Sequence, residues 1–331
     1  EEKKQLSRWA DGLEHLPLDE RPAEIVQIRA EMEASGPSRS QSAHVYGDIL
    51  HARLLTFSGD ISGAFEHYPS VVERIDAHPY LLNYLEFRNI YRNYLFNLAA
   101  IGIAQQDFDA TTSGIDRLQQ HLRRFKREPK NVVEIRDMVW YLQANLYKRK
   151  LAIEELEDLA ETVENTLNEE RGEYVFRIRI GLLYSLAETQ FYLGNYANSY
   201  KWLQRILDLP AKTRMPTIIG FVRIIELIIL LEQRDFVSME SAISRARYFF
   251  KKRNLLTEFE KRLFRFFNQV KSSSAQKETV SAIQQLREDL LLLFEDKKYW
   301  QKKNVFELIV WIDHKLTSRP VRDLLREEYR L

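Results

Sequence analysis

Residues 182–210 read LLYSLAETQFYLGNYANSYKWLQRILDLP. Gly194-Asn195-Tyr196 is an Asn turn followed by an apolar residue, set between two helical patterns. Ala187 and Ser199 lie twelve residues apart and straddle that turn, and Leu203 follows four residues later. Where two helices cross closely, a small residue lets the backbones approach, and a larger one would wedge them apart. The stretch therefore reads as a helix–turn–helix pair with its tightest contact at Ala187 and Ser199.

The same arrangement recurs along the chain. Gly59-Asp60-Ile61, Gln106-Asp107-Phe108 and Arg234-Asp235-Phe236 are its other turns, flanked by the pairs Ala52/Ala64, Ala99/Thr111 and Leu227/Met239. Tyr68, Ile115 and Ile243 stand in the place of Leu203. Recurrence at a near-fixed period is the signature of a helical array. The spacing is 47 residues from Asp60 to Asp107, 88 from Asp107 to Asn195, and 40 from Asn195 to Asp235. A gap of twice 44 predicts an eroded copy turning near Leu151. Apolar residues at steps of three and four support it, through Ile135, Val139, Leu142 and Leu146 before the turn, and Ile153, Leu156, Ala160 and Val163 after it. Lys148-Arg149-Lys150 makes that connection without Gly or Asn.

Only 11 glycines and 9 prolines occur in 331 residues, and alternating β-branched runs are missing, so an all-α architecture is expected. The net charge of +1 points to no strongly charged partner. No cysteine is available for disulfides or thiolate metal sites. The most apolar stretch, Ile218 to Leu231, contains Arg223 and Glu226 and reads as a buried helix rather than a membrane span. A cytoplasmic location is the expectation, with the reservation that the chain starts at Glu1 and an upstream signal would be invisible.

Three segments follow from the helix signals. Residues 1–40 form an N-terminal helical cap, broken at Leu16-Pro17, restarted near Pro22 and ended by the loop Ser35 to Ser40. Residues 41–270 carry the repeats, with Pro79 to Gln105 forming one long helix or two. Residues 271–331, after the polar linker Lys271 to Gln276, form a C-terminal helical cap closing the open end of the stack. Thr257-Glu258-Phe259-Glu260 is a capping box that opens a further helix carrying Leu263, Phe264, Phe267 and Val270.

Residues 182–210 resemble a tetratricopeptide repeat. Leu186 and Ala187 stand at that family's Leu-Gly pair, Gly194 and Tyr196 at its inter-helix turn, and Ser199 at its small residue. Leu203 matches its following large residue and Pro210 its closing proline. Units of 40 to 47 residues are longer than the family's ~34, and Leu183 and Gln190 replace its hallmark Trp and Tyr. The run Ser244 to Arg253, with Phe259-Glu260-Lys261, also resembles a bacterial group of such repeat proteins with no assigned role. The resemblance implies a right-handed superhelical solenoid of antiparallel helix pairs, a non-enzymatic scaffold that binds another protein or a peptide segment.

In such stacks the first helix of each pair lines the concave surface. That places Tyr46, Arg53, Phe57, Asn93, Asn97, Tyr184, Glu188 and Tyr192 in a candidate peptide groove, with Phe96 beside them. Aromatic and Arg side chains beside amides suit peptide recognition, although several could instead pack between helices. Ile49 stands where some of these domains place a carboxylate-clamping Lys, so that clamp is not expected.

Arg245, Arg247, Lys251, Lys252 and Arg253 form a candidate basic patch, and Arg123, Arg124, Lys126 and Arg127 a second cluster. A nucleic-acid-associated regulator using these helix ends is the alternative reading, but cations favour helix C-termini for their own sake. The acidic run Glu154 to Glu173 reads as a solvated face or as an internal partner for those cations. Patterns for a nucleophile elbow, a phosphate loop and a zinc helix are all missing, so no catalytic residue is assigned. His44, Asp48 and His51 share a helix face, a spacing common by chance, and Asp313-His314 is read as structural. No metal and no cofactor are expected.

Overall fold

The computed structural model describes residues 21–34, 40–58, 60–170, 177–209, 215–272, 276–296, 299 and 307–329. It divides into two compact units, residues 1–142 and 143–331, a boundary that falls inside the expected repeat region. Among the described residues every regular element is a helix. The helix expected before Pro17, most of the loop ending at Ser40, Gly59, Pro210 and the centre of the 271–276 linker lie outside the described residues.

In the first unit, α1 (Arg21–Ala34) precedes α2 (Gln41–Phe57), α3 (Ile61–Glu66) and α4 (Tyr68–Ala77). A 3-10 turn at Pro79–Asn83 leads into α5 (Leu85–Gln105), then α6 (Phe108–Arg124). Pro79 thus opens a turn, and the long apolar stretch is one helix from Leu85. The unit boundary falls within α7 (Pro129–Lys150).

The second unit continues from α7 with α8 (Ile153–Glu169), α9 (Arg177–Tyr192), α10 (Tyr196–Asp208), α11 (Pro216–Glu232) and α12 (Phe236–Lys252). It ends with α13 (Glu258–Ser272), α14 (Gln276–Phe294), α15 (Leu308–Thr317) and α16 (Val321–Tyr329). Consecutive helices pack as pairs, most closely α5 with α6, α9 with α10, and α11 with α12.

One turn geometry joins these pairs. The amide of Asp107 donates to Gly102 O, Ala152 to Tyr147 O, Asn195 to Gln190 O and Asp235 to Leu230 O, each at 2.8–2.9 Å. The residue before each donor is left-handed, namely Gln106, Leu151, Gly194 and Arg234. This six-residue closure satisfies carbonyls that a helix end leaves unpaired. The carboxylates of Asp60, Asp107 and Asp235 then accept the third amide of the following helix, from Gly63, Ala110 and Ser238, at 2.9–3.0 Å. The eroded copy turns at Leu151, as its spacing predicts, with a leucine at φ 53° where glycine would be unstrained.

All eight residues of the twelve-spaced pairs are buried. Ser199 Oγ donates to Ala187 O at 2.7 Å, while Thr111 Oγ1 lies 3.3 Å from Ala99 O and 2.9 Å from its nearer acceptor, Asp107 O. At the second crossing a Cβ added to Gly114 would lie 2.8 Å from Ala99 Cβ. Residues 219–230 of α11 are buried along their length apart from Arg223, and Glu226 among them reaches Arg245 at 3.2 Å.

The final helices pack against their neighbours in the same unit. Trp311 packs its ring 6.4 Å from Phe266 of α13, and Asp313 pairs with Arg287 of α14 at 2.5 Å. The same short helix also reaches back along the unit. Trp311 Nε1 donates to Glu232 Oε1 at 2.7 Å and Lys315 Nζ to Glu232 Oε2 at 2.8 Å, at the end of α11. Ser318 is left-handed and Pro320 precedes α16, so α15 and α16 form a hairpin. Leu324, Leu325 and Tyr329 of α16 cluster with Leu151 and Val310.

Candidate functional site

The expected groove positions separate into two groups. In the first unit, α2 buries Tyr46, whose ring lies 5.4 Å from Phe87 of α5. Tyr46 is a core residue rather than part of a groove surface. Arg53 is half-buried, and its charge acts on the phenols of Tyr68 and Tyr94. Burial pushes both hydroxyls above the ordinary tyrosine range despite that cation. The side chain of Phe57 lies outside the described residues.

Asn93 and Asn97 sit one turn apart on α5, the first exposed and the second half-buried. Arg92 Nε donates to Asn93 Oδ1 at 3.3 Å, and Phe96 places its ring 5.9 Å from Tyr141. Behind them a polar lattice stiffens α5. Arg92 is buried and meets Glu134 at 3.0 Å, and Arg88 pairs with Glu128 while its guanidinium lies over Phe125. His121 is enclosed by the same cations. Burial first, then Arg92, Arg124 and Arg88, press its imidazole down to about 4.

In the second unit Tyr184 and Glu188 are buried and Tyr192 is partly so. They do not line an open groove, because the chain's own C-terminal hairpin covers them. Tyr192 OH donates to Glu307 Oε2 at 3.1 Å, and Tyr329 OH to Glu307 Oε1 at 2.9 Å. Lys148 Nζ, from the last turn of α7, bonds Glu188 Oε2 at 2.5 Å. Arg149 lies 4.2 Å from the centre of the Tyr329 ring.

Burial raises the Glu188 carboxyl to about 8 against the pull of Lys148, and the neighbouring Glu307 adds to the rise. Burial would raise Glu307 as well, but Lys148 and the Tyr329 hydroxyl hold it below the ordinary range. The sequence pointed to Tyr184, Glu188 and Tyr192 but not to Lys148, Glu307 or Tyr329. Lys148 reads as a charged connector, and Glu307 lies 115 residues from Tyr192 with no local signal to join them.

The basic patch on α12 is exposed. Arg245 is tied to Glu226, while Arg247, Lys252 and Arg253 lie over the rings of Phe264, Tyr248 and Phe249. The acidic helix α8 meets α10 instead of these cations, through Glu164 with Lys201 and Arg205. Asp48 is engaged by Arg74 at 2.8 Å, and the ring of His51 packs 4.3 Å from that of His67. Among the described residues no group of three His, Asp or Glu is placed to hold a metal ion. No helix among them is long and apolar enough to cross a membrane.

No protein-family model matches the chain. No curated protein matches it either. Among solved structures, a Rap protein complexed with Competence and Sporulation Factor is similar, at 12% identity over 97% of each chain with a TM-score of 0.43.

Proposed function

We propose that this chain is a non-enzymatic scaffold of tetratricopeptide-like repeats that binds a protein or peptide segment, the activity that its resemblance to such repeats implies. One observation carries the reading. On α5, Asn93 and Asn97 reach solvent one turn apart, beside the Phe96–Tyr141 ring pair, while the opposite side of that helix is sealed against α6. Paired side-chain amides can bond an extended backbone whatever its sequence, and flanking aromatic rings add apolar contact. The α12 cations already serve Glu226 and the aromatic rings around them, which favours a peptide over a nucleic acid as the partner.

The test is partner capture by the full chain, compared with an Asn93→Ala/Asn97→Ala variant that leaves the core intact. Loss of the partner by the variant supports the reading. Undiminished capture moves the site off α5, and capture of nucleic acid that weakens steeply with salt supports the alternative.

A further inference from the structure

The C-terminal hairpin is attached to the second unit through a buried cluster whose charges do not balance. Glu188 and Glu307 face each other within hydrogen-bonding reach, and Lys148 is the cation between them. Two carboxylates and one ammonium leave a net negative charge in a site that excludes water. Burying such a charge is unfavourable unless it is paired or neutralised. Glu188 Oε2 accepts from Lys148, yet Glu188 Oε1 has no donor among the described residues. The group within hydrogen-bonding reach of Glu188 besides Lys148 is the Glu307 carboxylate, which can only accept. Both oxygens of Glu307 already receive hydroxyl protons, from Tyr192 and Tyr329. The donor that completes this arrangement is a proton on Glu188 directed at Glu307. With it, the cluster is neutral and every acceptor is satisfied.

We propose that one proton held between Glu188 and Glu307 fastens the C-terminal hairpin to the ends of α7 and α9, so that the hairpin closes with proton uptake and loosens as the solution turns alkaline.

Among the described residues, the groups facing Glu188 leave no other candidate for the titration. From α7 come Lys148 and, against Tyr329, Arg149; from α9 itself, Tyr184 and Tyr192; from the hairpin, Glu307 and Tyr329. The ammonium and all three phenols are pushed above their ordinary values, so none of them changes charge near neutrality. On neighbouring α11, Glu226 is engaged with Arg245, Glu232 with Trp311 and Lys315, and Arg223 lies over Phe249. The sign follows from linkage. Glu188 is raised from its ordinary 4.5 to about 8 when enclosed, so opening between those values releases a proton and is favoured by rising pH. This latch stands apart from what the repeats bind, although opening it would uncover Tyr184, Glu188 and Tyr192.

Hydrogen exchange of the full chain, corrected for the intrinsic pH dependence of amide exchange, tests it. One proton released per opening makes the opening constant of α16 rise about tenfold per pH unit between pH 6 and 7, levelling off as pH passes 8. Amides of α13 serve as a reference and should show no such rise. In Glu188→Gln the amide supplies the missing donor without a titrating proton, so α16 should stay protected and its opening should be flat with pH. If that variant does not fold, Glu307→Gln takes its place, with the same flat profile expected. A flat wild-type profile, or the same slope in the variant, overturns the proposal.

Discussion

Ser199 gives its hydroxyl proton to the carbonyl of Ala187, twelve residues back across a turn, and in doing so marks where α9 and α10 come closest. Thr111 and Ala99 meet at the matching place in the first unit, with Gly114 one turn further along α6. Replacing Gly114 with alanine should raise helix propensity by about 1 kcal/mol on an exposed surface. Here the new Cβ would fall 2.8 Å from Ala99 Cβ, and overpacking costs ~1–3 kcal/mol. Gly114→Ala is therefore expected to lower the urea midpoint, and a raised midpoint would show that the crossing can relax.

The turn caps are not equivalent. Asp107 accepts the Ala110 amide at 3.0 Å, whereas Asn195 makes no such bond and turns its amide toward Gln190 Oε1 at 3.0 Å. Asp107→Ala should cost about 1 kcal/mol of stability, the usual loss for a removed cap, and Asn195→Ala less. Denaturant titration of both variants checks the ranking, and equal losses would refute it.

Removing Lys148 should be severe. Lys148→Met leaves Glu188 and Glu307 buried without their cation, a situation that costs roughly 3–5 kcal/mol. Adding Glu188→Leu removes the carboxyl group that Lys148 bonds and should recover part of the loss. A double-mutant cycle on thermal unfolding reads this coupling, and strictly additive effects would mean that the residues act independently.

His121 sets a pH dependence in the first unit. Its folded value of about 4 lies below the ordinary 6.5, so the unfolded chain binds the proton more readily. Stability is then intact above about 6.5 and falls as pH drops toward 4, at up to about 1.4 kcal/mol per pH unit. The imidazole resonance should remain that of the neutral ring at pH 5.5. A midpoint near 6.5 would place His121 in water.

The repeats were legible because their signal is local. Asp60, Asp107 and Asp235 each cap the helix that follows within three residues, and the spacing alone located Leu151. The groove in the second unit was misread for the opposite reason. Tyr184, Glu188 and Tyr192 do sit on the first helix of a pair, but what covers them comes from Glu307 and Tyr329, far away in sequence. Periodicity shows which face of a helix is special and not what occupies it. Leu151 shows the same limit. Its turn lacks glycine, and its side chain belongs to the cluster that seats α16.

Helical arrays normally melt like a row of neighbours, each repeat holding only the next, so that the ends fray first. The contacts of Glu307 with Tyr192 and of Trp311 with Glu232 join segments 115 and 79 residues apart and tie the last helices to the interior of their own unit. A row tied back in this way frays on that side only when the hairpin itself lets go. The second unit should therefore separate its helices only after the hairpin has come away, and fold more slowly than its local turns would allow, because its final clasp must wait for the helices it spans.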